Sequence, residues 1–547
     1  MVMDDWWKNA VFYAVDVERF CDGNGDGVGD FPGLASKLPY LADLGVTCLW
    51  LLPFYPSTNR DNGYDVTDYF AVDPRYGSFD DFIAFIRAAG EQGIRIITDL
   101  VVQHTSIEHP WFRSARHDRQ SPFRDYYIWS DHPPATPPGR GPMFPGAETG
   151  VWTYDELAGA YYHHRFYDFQ PGLNHENPAV RNEIERIIDF WCSFGISGFR
   201  IDAASHLIER PLHPDKEIDV THATLRHIYQ HTTSRKPDVL LMGEVDEDPG
   251  QLASFFDGEQ LNMMFNFYLD NYLLLALARE DAAPVHHAIN SLPRPPANGQ
   301  WANFLRNLDE ADLERLEEGE MDDVLEKFAP QKTMRIYGRG IRRRLAPMFK
   351  GNRDRLKMAY SLLFSMPGSP IIPYGDEIGM GEDLDLPERE AVRTAMQWSG
   401  RKNGGFSSAA VSKLAFRTIP DDAYGYKKVN VADQQGDSKS LLNHIKHLAQ
   451  LRIQYHELGT ERCEFIETGN DAVLAHRYGA AQSGILMLHN LSGKPQAVDF
   501  PIDTARYGHP EVVLGEGVFN LEAGRLEIEL EPYGVRWIAA TTPWKHS

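Results

Sequence analysis

Residues 79–102, FDDFIAFIRAAGEQGIRIITDLVV, place an amphipathic stretch directly before a short apolar run. The second part, residues 94–102, is rich in β-branched side chains, which favours a strand. The apolar side chains of the first part recur at helical spacing: Phe79, Phe82, Ile83, Ile86 and Ala89. The stretch therefore predicts a helix that is followed by a strand.

Short apolar runs of this kind recur along the chain, with amphipathic stretches such as residues 184–192 between many of them. Strands that alternate with helices predict a parallel sheet with right-handed crossovers, and eight strands favour a closed (β/α)8 barrel, or TIM barrel. A doubly wound open sheet is the alternative. The predicted strands are residues 11–17, 46–53, 94–102, 198–203, 239–244, 261–267, 301–307 and 371–375.

Two stretches interrupt this alternation. The first, after the third strand, is crowded with Pro, Gly, His and aromatic residues and predicts a small inserted domain. The second, after the seventh strand, is highly charged, and alternating strands near the end of the chain predict a C-terminal antiparallel β-sandwich. The predicted domains are the barrel (residues 1–104 and 173–457), the inserted domain (105–172), the second insertion within the barrel (310–350) and the sandwich (458–547).

The chain has 547 residues and a formal charge of −24, which excludes the basic face that a nucleic-acid partner needs. No apolar run is long enough to span a membrane, and the start of the chain lacks a secretory signal pattern. Four dispersed cysteines without a CxxC pair favour reduced thiols, although a disulfide stays open. We therefore expect a cytoplasmic protein without a membrane partner, whose oligomeric state the composition leaves open.

Carboxylates end several of the predicted strands. The C-terminal ends of barrel strands converge on one pocket, and two carboxylates that flank a glycosidic bond are what glycoside cleavage needs. Arg200 lies two residues before Asp202, so it shares the same strand face and could keep that acid ionised. The alternative is that each acid caps the following helix, but four on different strands favour a site. These acids are Asp99, Asp202, Glu244 and Asp309, with Asp65 and His104 nearby.

The segment Asp22-Gly-Asn24-Gly-Asp26-Gly-Val28-Gly-Asp30 places oxygen ligands at alternating positions. Its glycines permit the tight turn that a hard cation needs, which predicts a structural Ca²⁺ site, with Mg²⁺ as an alternative. It is not an EF-hand, because the twelfth position is Gly33 where an EF-hand has Glu. A plain Gly/Asp turn is the other interpretation. Nothing in the sequence points to an organic cofactor.

Several motifs together resemble the α-amylase superfamily, glycoside hydrolase family 13, and within it the trehalose synthase group. The four signature regions are matched, in order, by Asp99-Leu-Val-Val-Gln-His104, Gly198-Phe-Arg-Ile-Asp-Ala203, Glu244 after a strand, and Asn307-Leu-Asp309. The resemblance covers nearly the whole chain. Further matching stretches are residues 50–56, 63–65, 340–347, 374–380 and 392–398.

The resemblance implies a retaining mechanism with a small α-glucoside as substrate. Asp202 would be the nucleophile, Glu244 the general acid and base, and Asp309 the carboxylate that grips sugar hydroxyls in the transition state. Asp65 and Arg393 would pair at the closed end of the pocket and bind the non-reducing glucose. The remaining substrate-binding residues would be Tyr64, His104, Arg200 and Asp99. Loop 22–30 also matches a structural calcium loop found in family members.

Three positions depart from the family pattern. Leu308 replaces a His that bonds the 2- and 3-hydroxyls of glucose, Gln103 replaces an Asn, and Gly172 replaces an Asp. The loss at Leu308 would cost on the order of 2 to 4 kcal/mol if that bond strengthens in the transition state. The leading hypothesis is isomerisation of maltose to trehalose. A hydrolytic α-glucosidase or amylase is the second hypothesis, and a non-catalytic carbohydrate-binding protein the third.

Overall fold

A closed barrel of eight parallel strands forms the centre of the computed structural model, which describes residues 5–136, 141–144, 146–207, 217–419, 423–479, 484–502 and 509–541. The predicted (β/α)8 class is therefore confirmed, and the doubly wound alternative is excluded. The strands are β1 (Phe12–Val15), β2 (Cys48–Leu51), β3 (Arg95–Leu100), β4 (Gly198–Ile201), β5 (Leu240–Gly243), β6 (Met263–Phe265), β7 (Gln300–Asn303) and β8 (Ser369–Pro373).

The barrel strands are shorter than the apolar runs that predicted them, because each run continues into the loop that follows its strand. Nearly every residue of β1 to β8 is buried, as expected for strands covered by side chains inside and helices outside. Strand β7 ends at Asn303, so Asp309 lies on a loop. The register of β3 against β4 pairs Asp99 with Arg200.

Helices surround the barrel, and the predicted helix in residues 79–89 is found at Phe79–Glu91. Ser78 and Asp81 form a capping box at its start, since each side chain bonds the backbone N–H of the other. The other helices are Val17–Phe20, Phe31–Ala35, Leu38–Leu44, Pro110–His117, Pro178–Ser193, Glu217–Arg235, Pro249–Phe255, Phe267–Arg279, Ala283–Ser291, Glu318–Phe328, Leu345–Met348, Arg353–Ser365, Val431–Gln435, Leu441–Gln454 and Glu457–Thr460.

Two small antiparallel sheets interrupt the barrel, one between β3 and β4 and one between β7 and β8. Each contains three strands and follows the C-terminal end of a barrel strand, the end where barrel enzymes carry their sites. Part of the Pro-rich stretch in the first insertion, residues 137–140 and 145, lies outside the described residues. The first sheet contains Trp129–Ser130, Trp152–Asp155 and Ala160–His163, and the second Ala311–Asp312, Arg335–Ile336 and Gly340–Ile341.

Two antiparallel sheets at the C-terminus enclose a second apolar core that includes Leu486, Phe500 and Ile528. They pack against helix Arg353–Ser365, where His489 contacts the Ser361 hydroxyl at 2.8 Å. The five-stranded sheet contains Glu464–Ile466, Val473–Tyr478, Ile485–Asn490, His509–Leu514 and Val535–Thr541, and the three-stranded sheet contains Gln496–Pro501, Phe519–Glu522 and Arg525–Leu530.

All four cysteines are free thiols, of which Cys21 and Cys48 are buried. Among the helices that the structure describes, none has both the length and the apolar composition needed to cross a bilayer.

Candidate active site

A cavity of about 330 Å³ opens at the C-terminal ends of the barrel strands, within the size range of small-molecule sites. Both insertions contribute to its wall. Six of the residues singled out in the sequence line it: Tyr64, His104, Arg200, Asp202, Glu244 and Asp309. Three others, Asp65, Asp99 and Arg393, are buried behind the wall.

The Arg200 guanidinium joins three carboxylates at the floor of this cavity. Its Nη1 lies 2.6 Å from Asp99 Oδ1 and 2.5 Å from Asp202 Oδ1, and its Nη2 lies 2.9 Å from Glu244 Oε1. Asp99 also accepts a hydrogen bond of 3.0 Å from the Trp50 indole. The parallel register of β3, β4 and β5 brings these side chains together, because Asp99 and Arg200 are direct strand neighbours. One buried cation thus orients both Asp202 and Glu244.

Ala203, directly after Asp202, adopts a left-handed backbone conformation with φ of 47°. This conformation costs about 1–2 kcal/mol for a residue with a Cβ atom. It turns the Ala203 N–H toward Glu244, whose Oε2 accepts it at 2.9 Å. The strained turn therefore fixes the Glu244 carboxyl group beside Asp202.

The groups around Asp202 and Glu244 shift the pKa values of these two acids in opposite directions. Burial raises the pKa of Glu244, the Arg200 guanidinium opposes that rise, and the Asp202 carboxylate adds to it. Burial also raises the pKa of Asp202, while the ion pair and hydrogen bond with Arg200 lower it. Asp202 makes the shorter contact with Arg200, 2.5 Å against 2.9 Å for Glu244. The geometry therefore favours an ionised Asp202 and a protonated Glu244, the pairing that an acid and a nucleophile require.

Asp309 is the third carboxylate of the cavity and is held by arginines. It forms ion pairs with Arg393 and, at 3.9 Å, with Arg389. Burial acts against its ionisation, but these two cations outweigh burial and hold the pKa of Asp309 at about 2. Its N–H also donates to Asn307 Oδ1 at 2.8 Å, and Arg393 Nε donates to the Leu308 carbonyl at 3.0 Å. Asp309 is thus a permanently charged, oriented group.

Leu308 is 2% exposed and lies in the apolar core, while its neighbours Asn307 and Asp309 line the cavity. Position 308 therefore presents no polar side chain to a sugar. The adjacent Asn307 amide is the polar group of this segment that reaches the cavity wall beside Asp309.

His104 lies between Gln103 and Tyr64. Its Nδ1 is 3.0 Å from Gln103 Oε1, and its Nε2 is 3.1 Å from the Tyr64 carbonyl oxygen. Burial lowers the pKa of His104 to about 4, so the ring is neutral near pH 7. Gln103, one of the departures from the family pattern, thus holds the ring of a cavity residue.

The predicted pairing of Asp65 with Arg393 is wrong. Asp65 is fully buried and accepts hydrogen bonds from the Thr58 side chain and N–H and from the Asp61 N–H. Arg393 instead pairs with Asp309, which lies on the loop after β7. The acid that lines this part of the cavity is Asp61, whose pKa burial raises to about 6.

Loop 22–30 is held by its own backbone, and none of its residues lines the cavity. The Asp22 carboxylate accepts from the Gly25 and Gly27 N–H groups and from the Ser407 hydroxyl at 2.6, 2.8 and 2.5 Å. Asp30 accepts from the N–H groups of residues 23, 24 and 33. The side-chain oxygens of Asn24 and Asp26 also accept backbone N–H groups, from residues 26 and 28. The donor set of the loop is all oxygen, the ligand type that Ca²⁺ takes.

One group of residues, three of which line the cavity, was missed from the sequence. The guanidinium of Arg389 lies 2.6 Å from Glu310 and stacks over the rings of Phe144, at 4.8 Å, and Tyr337, at 5.7 Å. Two phenols, of Tyr167 and Tyr337, donate to Glu388 Oε2 at 3.1 and 3.2 Å. We name as the closing cluster Phe144, Tyr167, Glu310, Tyr337, Glu388 and Arg389. The cluster joins both insertions to the segment after β8. In the sequence, the feature that could have indicated it is that Glu310 and Arg389 lie beside recognised motifs.

Comparisons with known proteins agree with this geometry. The model for the α-amylase catalytic domain matches residues 15–461. The trehalose synthase/amylase of Mycolicibacterium smegmatis is 39% identical over 509 residues, covering 90% of this chain and 86% of the relative. The trehalose synthase of Pimelobacter sp. is 38% identical over 556 residues, covering 98% and 96%. The crystal structure of a trehalulose synthase from Pseudomonas mesoacidophila has a TM-score of 0.79 at 26% identity, covering 97% and 99%.

Proposed function

Because this chain belongs to the α-amylase family, we propose that it moves an α-linked glucosyl unit with retention of configuration and isomerises maltose to trehalose. The observation that carries the proposal is the floor of the cavity, where Arg200 holds both Asp202 and Glu244. Two carboxyl groups with opposite proton assignments are the machinery of a retaining glycosidase. Its relatives of the trehalose synthase group support the choice of reaction.

In the first step Asp202 attacks the anomeric carbon of the non-reducing glucose, and the bond to the glycosidic oxygen breaks. Glu244 donates its proton to that oxygen, so glucose leaves as a neutral alcohol. The product is a glucosyl ester on Asp202. Asp309, charged and held by Arg393, accepts hydrogen bonds from sugar hydroxyls as positive charge develops on the ring.

In the second step Glu244, now ionised, removes a proton from the anomeric hydroxyl of the released glucose. That oxygen attacks the glucosyl ester, the bond to Asp202 breaks, and trehalose forms with the original configuration restored. The released glucose must turn over inside the cavity before it attacks. The reaction therefore requires a pocket that retains glucose for the lifetime of the ester.

The closing cluster supports this retention. Glu310 and Arg389 line the cavity, and Arg389 also reaches Asp309 at 3.9 Å. The same guanidinium stacks on Phe144 of the first insertion and Tyr337 of the second. Arg389 therefore both contacts the two insertions and helps to keep Asp309 ionised.

Hydrolysis is the second candidate function, in which water attacks the ester in place of glucose. Charged side chains at the cavity wall, among them Asp312, Arg315 and Arg339, favour water in that part of the cavity. One relative carries both activities in its name, trehalose synthase/amylase. The two reactions use the same residues and differ in the access of water.

The first experiment is to incubate the purified protein with maltose and to follow glucose and trehalose by NMR. Trehalose with little free glucose supports isomerisation and shows that Leu308 is tolerated. Glucose alone would establish hydrolysis. No turnover of maltose would overturn both reactions on this sugar, and the next donors to test are α-glucosides modified at position 2 or 3.

We also propose that loop 22–30 binds Ca²⁺ as a structural ion. The loop follows helix Val17–Phe20, from which Arg19 donates to the Arg393 carbonyl, so the ion would support a residue that holds Asp309. We expect chelation to lower the melting temperature and added Ca²⁺ to restore it. In the Asp26→Asn variant the shift should shrink. A melting temperature that ignores both chelator and Ca²⁺ would leave the loop as a plain Gly/Asp turn.

The proposed location is the cytoplasm, which the four free thiols support. The proposed partner is a small α-glucoside such as maltose.

A further inference from the structure

We propose that Asp376 is a positioning residue for glucosyl transfer, which acts through Arg306 and Arg344 on the ion pair of Asp309 with Arg393. Asp376 lies directly after β8, is buried, and does not line the cavity. A sugar in the cavity therefore does not contact it, and any effect on the reaction must pass through other residues. The inference rests on the proposed function, because it concerns how the third carboxylate of that site is held in place.

The two arginines meet at the Asp376 carboxylate. Its Oδ1 accepts a hydrogen bond from Arg344 Nη1 at 2.7 Å, and Oδ1 and Oδ2 lie 3.3 and 3.4 Å from Arg306 Nη1. Both guanidiniums are themselves buried. Burial lowers the pKa of Arg306, the Asp376 charge opposes this shift, and the Arg344 charge adds to it. Asp376 is therefore the anion that stabilises two neighbouring buried cations.

Each of these guanidiniums also reaches the backbone of one partner of the ion pair. Arg306 Nη2 donates to the Asp309 carbonyl at 3.4 Å. Arg344 Nε donates at 3.0 Å to the carbonyl of Val392, the residue directly before Arg393. One carboxylate thus connects, through two arginines, the backbone of the acid at position 309 with that of the cation that pairs with it.

Both partners of the ion pair lie on irregular backbone. Strand β7 ends at Asn303, before the loop that carries Asp309, and Arg393 follows the short helical turn Glu388–Val392. The hydrogen bonds of the barrel sheet therefore fix neither backbone. A displacement of about 1 Å at a reacting site can cost about 10² in rate, so a carboxylate that stabilises the transition state needs a fixed position. The two arginines supply contacts that the sheet does not.

Asp376→Asn removes the charge and keeps the shape of the side chain. Two buried guanidiniums would then face each other without a carboxylate between them, which weakens their hold on the two carbonyls. With α-glucosyl fluoride as donor and fluoride release as the readout, we expect kcat/KM to fall about 10- to 100-fold. The fall should appear equally in kcat and leave KM unchanged, because a contact made in the transition state is impaired.

A double-variant cycle tests whether Asp376 acts through Asp309. In the Asp309→Asn background, Asp376→Asn should change kcat/KM by less than about twofold, because the carboxylate that it positions is gone. Arg306→Lys keeps a positive charge but loses the fork that joins Asp376 to the Asp309 carbonyl. It should lower kcat/KM in the unchanged background and have no effect in the other, and it decides the matter if Asp376→Asn does not fold.

Asp155→Asn is the matched control. Asp155 is a buried acid that pairs with Arg116 at 2.6 Å in the first insertion, and neither residue lines the cavity. This variant should lower the melting temperature, as Asp376→Asn should, but leave kcat unchanged. Near-UV circular dichroism checks that each variant is folded.

Equal losses of kcat/KM in the two backgrounds would assign Asp376 a role in stability alone and overturn the inference. A folded Asp376→Asn variant with unchanged kcat would overturn it as well. Fluoride release by the unchanged chain separates these results from a failure of the proposed function. Without any release, the proposed function and the inference both fail, whereas release with equal losses overturns the inference alone.

Discussion

Arg200 contacts Asp99, Asp202 and Glu244 with a single guanidinium, and this contact sets the charge pattern of the candidate site. Burial alone would leave every carboxyl group there neutral. The cation keeps a negative charge on the nearest acid, while Glu244 is held by a longer contact and by the Ala203 N–H. At the scale of residues, the site therefore depends on different protonation states of neighbouring carboxyl groups.

Glu244→Gln should remove the proton donor while keeping the shape of the side chain. We expect turnover of maltose to fall by about 10² to 10⁴, the usual contribution of general acid–base catalysis. With α-glucosyl fluoride, which needs no proton to leave, the glucosyl ester should still form. Added azide should then attack the ester and yield α-glucosyl azide, measured by NMR. Unchanged turnover of maltose would show that Glu244 is not the acid.

At the scale of elements, strand ends and helix starts place the site. Helix Phe79–Glu91 lies between β2 and β3, so its start helps to determine how the chain enters β3. The Ser78 hydroxyl accepts the Asp81 N–H at 3.2 Å, and Asp81 Oδ2 accepts the Ser78 N–H at 2.8 Å. Such caps contribute to stability without touching the chemistry.

Ser78→Ala should lower the free energy of unfolding by about 1 kcal/mol, because it leaves the first turn of the helix uncapped. The measurement is urea denaturation followed by far-UV circular dichroism. Ser234→Ala is the matched control, since that hydroxyl bonds the His231 carbonyl within a helix and caps nothing. Equal losses in the two variants would contradict the capping role.

The closing cluster belongs to the same scale, because it joins two insertions. Tyr337→Phe should loosen it by removing a hydrogen bond to Glu388, worth about 1 kcal/mol. We expect the ratio of free glucose to trehalose made from maltose to rise by up to about fivefold, as water enters more often. Tyr167→Phe should act in the same way. Tyr154→Phe, at a residue 51% exposed, should change nothing.

At the scale of the whole molecule, the sandwich docks on the barrel through buried histidines. Ser361 Oγ accepts the Trp537 indole N–H at 2.9 Å and lies 2.8 Å from His489 Nε2. His476 Nε2 donates to the Ser365 carbonyl at 3.1 Å. Burial lowers the pKa of His476 to about 3 and that of His489 well below its usual value. Both rings are therefore neutral where the sandwich meets the barrel. Nearby His286 further disfavours a charged His476 by repulsion.

Acid should therefore weaken the docking. The unfolded chain takes up protons on these histidines near pH 6.5 and the folded chain does not, so stability is lost as pH falls from about 7 toward 3. Each histidine contributes a slope of up to about 1.4 kcal/mol per pH unit. The double variant His476→Gln, His489→Gln should show a flatter fall of melting temperature between pH 7 and 5. A curve that stays parallel to that of the unchanged chain would contradict this assignment. His456→Gln, at an exposed residue, is the control.

The sequence by itself determined a parallel sheet covered by helices, because short apolar runs that alternate with amphipathic helices bury their surfaces in such a sheet. The count of eight strands favoured the closed barrel over the doubly wound sheet, and the structure decided between them. The sequence also located the candidate acids, since residues at the ends of such strands meet at one face. Periodicity and strand position are local properties, so they can be read from the sequence before the fold is known.

Only the tertiary structure decided which charges meet. The pairing of Arg393 with Asp309 depends on where the loop after β7 runs, and no spacing in the sequence records that path. The burial of Asp65 depends on the folding of its own loop, where Thr58 and Asp61 donate to it. The residues of the closing cluster likewise come from segments far apart in the chain. Coulombic contacts depend on distance in space and on burial, which exist only after the segments have packed.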